Sequence, residues 1–286
     1  MNESWSALAA ARQARTPRVP FFVRGIAVGA VATADLPALG AFADAVRIDE
    51  RGVHTLADDP SEALAPVNRA LHEAGLVRAW RNELFALPHP GTLETLARIE
   101  RAAARFWGTL TLGAHATGFV RGADGRPSHL WIAQRAFDKA TDPGKFDNLI
   151  GGGVGFGQTP RDTLVREAFE EAGLAPAEAA KAAPGHVIAL ARDIAEGYQQ
   201  EWLYGFDIEL PHGRAPVNQD GEVAGFQLLT VEEAAALAAG DTMTVDAALV
   251  TLDFLLRHAL LPADDDATHR LAAAMAALRV HMGSAA

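Results

Sequence analysis

Between Gly151 and Gly157 five of seven residues are glycine, and the chain then enters a segment with the local signs of a helix start. Thr159 is a capping residue, Pro160 suits the first helical position, where no N–H is needed, and Asp162 suits the positive end of the helix dipole. The helix is expected to run to about Ala172 and to stop at Gly173, a natural left-handed C′ residue. Glycines in such a run let the backbone pass close to a phosphate or turn sharply beneath it. The helix behind them reads Arg166-Glu167-Ala168-Phe169-Glu170-Glu171-Ala172-Gly173-Leu174. Glu167 and Glu171 lie about 40° apart on one helix face, and Glu170 sits on its flank. Three carboxylates so close repel one another and weaken the helix. A divalent cation relieves that cost, because hard ions such as Mg²⁺ take carboxylate oxygens and share substrate phosphates. A solvated acidic helix face is the alternative for the same residues.

Composition narrows the chemistry. The 286 residues contain no cysteine, which excludes disulfides, thiolate zinc sites and cysteine nucleophiles. The ten histidines show no pair at ligand spacing on a strong helix, and no Ser–His–Asp case can be built, so a metal is expected on oxygen. With 25 basic and 36 acidic side chains the formal net charge is −11, which argues against a nucleic-acid polymer as partner. The apolar stretch Ile26 to Val46 carries Asp35, Pro37 and Asp44, and that from Val245 to Leu261 carries Asp246, Asp253 and Arg257, so no membrane span is expected. The first 24 residues have arginines but no apolar leader segment, and an ordinary N-terminal helix is preferred to a transit peptide. On these grounds a soluble, cytoplasmic protein is expected.

Along the chain, helices are predicted at Trp5 to Arg15, Pro66 to Ala74 and Glu94 to Phe106, with short strands at Val53 to Leu56 and Leu84 to Leu87. The pattern changes near Trp107. Strands follow at Ala116 to Arg121 and Leu130 to Arg135, joined through the turn-rich segment 123–127. Beyond the glycine-helix segment, strands are read at His186 to Arg192, Trp202 to Leu210 and Val223 to Leu229. Helices are read at Val231 to Ala239 and Val245 to Leu260, and in the tail from Ala267 to Val280. This is an α/β or α+β chain, divided as an N-terminal α+β domain (1–110), a main domain (111–262) and a helical tail (263–286). Trp131, Trp202 and Phe206 read as core rather than as base-stacking platforms.

Gly152, Arg166-Glu167, Glu170-Glu171 and Gly173-Leu174 resemble the Nudix box, G-x5-E-x7-R-E-U-x-E-E-x-G-U with U a bulky aliphatic residue. Two positions depart: Gln158 stands at the first glutamate and Ala168 at an aliphatic position. Residues 144–149, 204–211 and 220–223, and more weakly Trp80-Arg81-Asn82-Glu83, resemble the thiamin-pyrophosphokinase-associated Nudix proteins, which carry an extra N-terminal domain and often replace the first box glutamate. The resemblance covers about residues 113 to 255.

It implies a Nudix α/β/α sandwich with a mixed sheet, beside a smaller N-terminal α+β domain of open role. The implied reaction is Mg²⁺-dependent (or Mn²⁺-dependent) hydrolysis of a nucleoside diphosphate or similar diphosphate linked to another moiety. Glu167 and Glu171 are the implied metal ligands, Glu170 a further ligand or base, and Arg166 the residue that orients a box carboxylate. Glu222, in the loop after the fourth predicted strand of the main domain, is a further acidic ligand or base, with a surface residue as the alternative. Gly152, Gly153, Arg135 and Lys139 are candidate substrate contacts; for Arg135 and Lys139 the alternative is ordinary surface charge. By subgroup the substrate is thiamin diphosphate or a damaged analogue. The alternatives are a nucleotide sugar such as ADP-ribose, or a retired Nudix fold acting as a ligand-binding or regulatory module. A homodimer is a family expectation.

Overall fold

The computed structural model describes residues 5–281; the first four residues of the expected N-terminal domain and the last five of the expected tail lie outside the described residues. The N-terminal part contains α1 (Ser6–Ala10), β1 (Arg18–Val23), β2 (Ile26–Ala32), α2 (Leu36–Leu39), β3 (Val46–Asp49), β4 (Gly52–Thr55), α3 (Pro60–Glu73), β5 (Leu84–Pro88), β6 (Thr95–Glu100) and α4 (Ala103–Trp107). Strands β2-β1-β4-β3 form one sheet, and β5 pairs antiparallel with β6. Asp59 caps α3 by accepting from the N–H groups of Ser61 and Glu62, with Pro60 in the first turn. The helix therefore starts earlier than Pro66, which lies inside it. Phe21, Leu64, Leu71, Ile99 and Trp107 are fully or almost fully buried together. The Trp107 indole N–H reaches Asn68 Oδ1 at 2.7 Å, so this large ring is buried without an orphaned donor.

Two expectations for this part are corrected. The helix predicted over Glu94 to Phe106 is the strand β6 followed by the single turn of α4. Ala97 and Ile99 alternate into the core while Arg98 stays exposed, a period of two that pairing with β5 selects. The helix predicted over Trp5 to Arg15 is only α1; its buried Ala7 joins Ala11 in the core with Leu249, Leu252 and Phe254.

The rest of the chain forms β7 (Leu110–Arg121), β8 (Pro127–Arg135), β9 (Phe146–Asp147), β10 (Ile150–Gly153), α5 (Pro160–Ala172), α6 (Pro176–Ala179), β11 (Ala183–Ile194), β12 (Gly197–Glu209), β13 (Val223–Thr230), α7 (Val231–Ala239), α8 (Val245–Arg257) and α9 (Asp266–Leu278). The sheet runs β11-β12-β7-β8-β13, with β10 added to β7 and β9 to β8. β12 runs parallel to β7 and the other pairs are antiparallel, so the sheet is mixed.

β7 is buried along almost its whole length because both faces are covered. On one face Leu164, Ala168 and Ala172 of α5 pack with Ala114, Ala116 and Leu149. On the other, Leu249, Leu252 and Phe254 of α8 pack with Phe119, Leu130 and Leu203. Each such large apolar side chain contributes roughly 1.5–3 kcal/mol by leaving water. The result is the expected α/β/α sandwich. Ala168 sits fully buried against the sheet, so its small size at an aliphatic box position is a matter of packing distance.

The N-terminal part is joined to the sandwich next to β10. The Phe85 ring occupies the space above Gly153, where a Cβ would stand 2.5 Å from ring carbon Cζ. The Phe156 N–H donates to the Leu84 carbonyl at 2.7 Å, and Arg105 pairs with Glu201 at 2.7 Å.

Candidate active site

Local signals set where the acidic helix begins. Thr159 Oγ1 accepts from the Asp162 N–H at 3.1 Å, and the Asp162 carboxylate accepts from the Thr159 N–H at 2.9 Å. Gly173 closes the helix with φ +63°. This phase turns Glu167 and Glu171 towards β10 and buries both. Glu171 Oε2 accepts from the Gly151 N–H at 2.8 Å. Arg166 donates to Glu167 at 2.8 Å and to Glu170 at 2.7 Å, bridging two of the three carboxylates.

Burial pushes the Glu167 pKa up to about 7, helped by the charges of Glu170 and Glu222 and opposed by Arg166. Burial, then the charge of Glu167, holds Glu171 well above its ordinary value, against the Gly151 hydrogen bond. Among the described residues no three carboxylates or imidazoles form a ready cage for a metal ion. The donor set nonetheless suits a hard divalent cation: every donor is oxygen, two carboxylates are buried, and they repel each other until a positive charge intervenes. Gln158 contributes no negative charge here; its Oε1 accepts from the Thr163 hydroxyl at 3.1 Å and steadies the start of α5.

These groups open on a cleft of about 550 Å³ between the N-terminal part and the sandwich. Gly151, Gly152, Gly153, Glu167, Arg135, Lys139 and Glu222 all line it, and Glu170 and Glu171 join them through Arg166 and Gly151. Lys139 Nζ is hydrogen-bonded to Glu222 Oε2. Burial raises the Glu222 pKa, but that bond and the charges of Lys139, Arg81 and Arg101 outweigh it and hold the carboxyl below its ordinary value. Arg135 pairs with Asp147 at 2.9 Å and donates to the Thr141 and Asp142 carbonyls, so most of its fork ties down the loop before β9.

The cleft also holds residues that the sequence alone does not single out. At its inner end Gln199 Nε2 donates to Glu201 at 2.9 Å and to Asp246 at 3.1 Å, with His115 and Thr244 nearby. Burial raises the Asp246 pKa, as does the charge of Glu201; for Glu201 the cost of burial is outweighed by Arg105 and Gln199. The N-terminal part contributes Arg78, Arg81, Arg101 and Arg105 to the lining, Arg105 through its pair with Glu201. The Trp80-Arg81-Asn82-Glu83 segment is the one sequence signal that points near them. Phe206 lies in the core beside α5, as expected, under the Arg161 guanidinium at 4.7 Å.

The Nudix domain family matches residues 111–248, and a domain family of unknown function, DUF4743, matches residues 3–111. Nudix hydrolase 24, chloroplastic, of Arabidopsis thaliana is 33% identical over 251 residues, which cover 85% of this chain and 68% of that protein. Nudix hydrolase 20, chloroplastic, of the same plant is 36% identical over 207 residues, covering 71% of this chain and 54% of that protein. The chain thus spans about two thirds of one relative and about half of the other. Among solved structures, DR0079 from Deinococcus radiodurans has 21% identity and a TM-score of 0.45, over 59% of this chain and 97% of that one.

The cytoplasmic expectation does not stand, because both plant relatives are described as chloroplastic. Among the described residues no helix is long and apolar enough to cross a membrane. The box in register on α5, the mixed-sheet sandwich around it and the identity to two Nudix hydrolases lead to one statement: the chain belongs to the Nudix hydrolase family, as an enzyme of the diphosphate-hydrolase type.

Proposed function

We propose that the protein hydrolyses the diphosphate bond of a small organic diphosphate in a reaction that depends on Mg²⁺ or Mn²⁺. The observation that carries this reading is the pair Glu167 and Glu171, two buried carboxylates of one helix, Glu167 lining a cleft that also holds Lys139 and several arginines, and Glu171 bonded to Gly151 of its wall. Glu167 and Glu171 would hold the cation, with Glu170 as a further ligand or as base. When bound, the cation neutralises the diphosphate and makes an attacking water more acidic. Arg166 keeps Glu167 and Glu170 in place through its two hydrogen bonds. Glu170, on the flank, takes the proton of the attacking water; Glu222 is the second candidate for that role. Gly152 leaves room for the Glu167 carboxylate beside β10, Gly153 leaves room for the Phe85 ring, and Lys139 in the cleft offers the diphosphate a positive charge.

Thiamin diphosphate or a damaged analogue is the leading substrate. The inner end of the cleft supports it: Asp246 and Gln199 suit a cationic, hydrogen-bond-donating organic group, beside Glu201, which is already paired with Arg105. ADP-ribose is the rival, and a binding module without turnover is the third reading.

Incubation with Mg²⁺ and a panel of diphosphates, scored for monophosphate products, separates the three. The expected result is turnover, with a higher kcat/KM for oxidised thiamin diphosphate than for ADP-ribose, and a loss of about 100-fold or more in Glu171→Gln. Preference for ADP-ribose rejects the thiamin reading. No turnover, with ligand affinity intact in Glu171→Gln, rejects the hydrolase.

A further inference from the structure

Residues 3–111 match a domain family of unknown function, yet this part of the chain builds one wall of the cleft. Four arginines stand on that wall, and their engagement differs. Arg105 is committed to Glu201 and Thr111. Arg101 pairs with Glu83 at 2.9 Å and lies over the Phe85 ring at 5.3 Å, which fixes its position and leaves donors over. Arg78 reaches the carbonyls of Gly75 and Ala195 only at 3.4 and 3.5 Å. The guanidinium of Arg81 has no hydrogen-bond or ion-pair partner among the described residues, although its backbone N–H is held by Glu100 Oε1 at 3.0 Å.

The loop that presents Arg81 is built, not slack. Ala79 and Asn82 both take the left-handed conformation, at φ +58° and +57°, which non-glycine residues adopt only at a cost. The Trp80 indole donates to Asn82 Oδ1 at 2.8 Å, and its ring stacks on His72 at 4.8 Å. The charge of Arg81 acts on Glu222, together with that of Arg101. Glu222 already has Lys139 as its hydrogen-bonded counter-ion and Glu83 has Arg101, so the Arg81 guanidinium is the cation here that no carboxylate holds by a hydrogen bond or ion pair among the described residues. Phe85 on Gly153 and the Phe156–Leu84 hydrogen bond hold the wall beside the box. A strained, anchored loop that aims an unpaired guanidinium at a catalytic cleft is arranged for an anion from outside the protein.

We propose that Arg81, with Arg101 beside it, binds the terminal phosphate of the diphosphate substrate, so that the N-terminal domain is the second half of the substrate site. The proposal rests on reading the cleft as a diphosphate site. On this view the domain of unknown function adds an anion-binding fork to the cations Arg135, Lys139 and Arg192 that the Nudix sandwich brings to the cleft.

The test is calorimetric titration of the full chain with inorganic pyrophosphate in the presence of a chelator. Arg81→Ala is expected to weaken binding about tenfold or more, and Arg81→Lys by less, because it keeps the charge and loses the fork. Arg69→Ala, which removes an equal charge from an exposed position on α3 away from the cleft, should stay within about twofold of wild type. Arg81 is exposed, so its variants should keep the wild-type melting temperature, which checks that they fold. Pyrophosphate binding that is absent in wild type, or unchanged in Arg81→Ala, overturns the proposal. With a turned-over diphosphate, Arg81→Ala should raise KM by a similar factor; an unchanged KM also overturns it. The failures are distinguishable. If wild type turns over no diphosphate but binds pyrophosphate through Arg81, the hydrolase reading falls and the anion site remains.

Discussion

A Cβ placed on Gly152 would stand 2.1 Å from Oε1 of Glu167, so the strand leaves room for that carboxylate only while residue 152 has no side chain. The obstructing atoms are Oε1, Cδ and Cγ of one flexible side chain, at 2.1, 2.4 and 2.7 Å, and Glu167 can rotate away as a whole from an intruding methyl. Gly152→Ala should therefore cost little stability, under about 1 kcal/mol, but displace a proposed metal ligand and lower kcat/KM by roughly 100-fold. Gly153→Ala should do the reverse. Its Cβ would meet the Phe85 ring at 2.5 Å, and overpacking there is expected to cost about 1–3 kcal/mol. Chemical unfolding and steady-state kinetics on the two variants check the contrast. Equal losses of stability in both would refute it.

The raised pKa values of Glu167 and Glu171 set a pH dependence whose sign can be worked out. Burial keeps Glu167 protonated up to about pH 7, against 4.5 for an unperturbed glutamate. In the metal-free protein the folded state therefore holds more protons than the unfolded one across that interval. Its contribution to stability is full below about pH 4.5 and is lost as pH rises through about 7. Melting temperatures in a chelator should fall across this window, and Glu167→Gln should flatten the slope. A cation needs the carboxylates ionised, so its binding at pH 6.5 should release protons. Calorimetry in two buffers of different ionisation enthalpy measures the release, and heats independent of buffer would contradict the assignment.

The parts of this site legible in the sequence are those written locally. Thr159, Pro160, Asp162 and Gly173 fix the ends of α5 through contacts within a turn, and the box spacing then fixes which carboxylates share a face. The strand Thr95–Glu100 reads as helix because Leu96 and Ile99 also satisfy a helical spacing, and only pairing with β5 decides between the two periods. Strands β1, β2 and β3 escape a sequence reading because their apolar residues form no regular alternation until the sheet forms. Arg81 and Arg101 are invisible as site residues for the same reason. They reach the cleft through the packing of Phe85 on Gly153, a contact between positions 68 residues apart that no local pattern announces.

Arg166 lies between Glu167 and Glu170, and a lysine cannot replace it. Its planar fork makes hydrogen bonds of 2.8 and 2.7 Å to two carboxylates at once, whereas an ammonium offers a single point of charge. Arg166→Lys is expected to lower kcat/KM by about 10- to 100-fold while leaving the fold intact. Because the two glutamates are then less firmly placed, the metal concentration giving half-maximal activity should rise as well. Metal titrations of both proteins read this shift. A lysine variant with wild-type activity and metal dependence would show that the bridge is incidental.

Asp193, near the end of β11, ties down the segment between α1 and β1. Its Oδ2 accepts from the Arg15 N–H at 2.7 Å, from the Thr16 N–H at 2.9 Å and from the Thr16 hydroxyl at 3.0 Å, and Arg18 pairs with Oδ1. Burial works against the charged form, but these bonds prevail and lower the pKa from 3.8 to about 2. The carboxylate's contribution is thus complete above about pH 3.8 and fades as pH falls towards 2. Asp193→Asn should destabilise the protein by about 1–2 kcal/mol at pH 7, the scale of charge-assisted hydrogen bonds at a partly exposed site. Urea unfolding of wild type and variant should show that gap at pH 7 and pH 5 and a narrower one at pH 3. A gap constant over that range would mean that the tether acts through shape and not through charge.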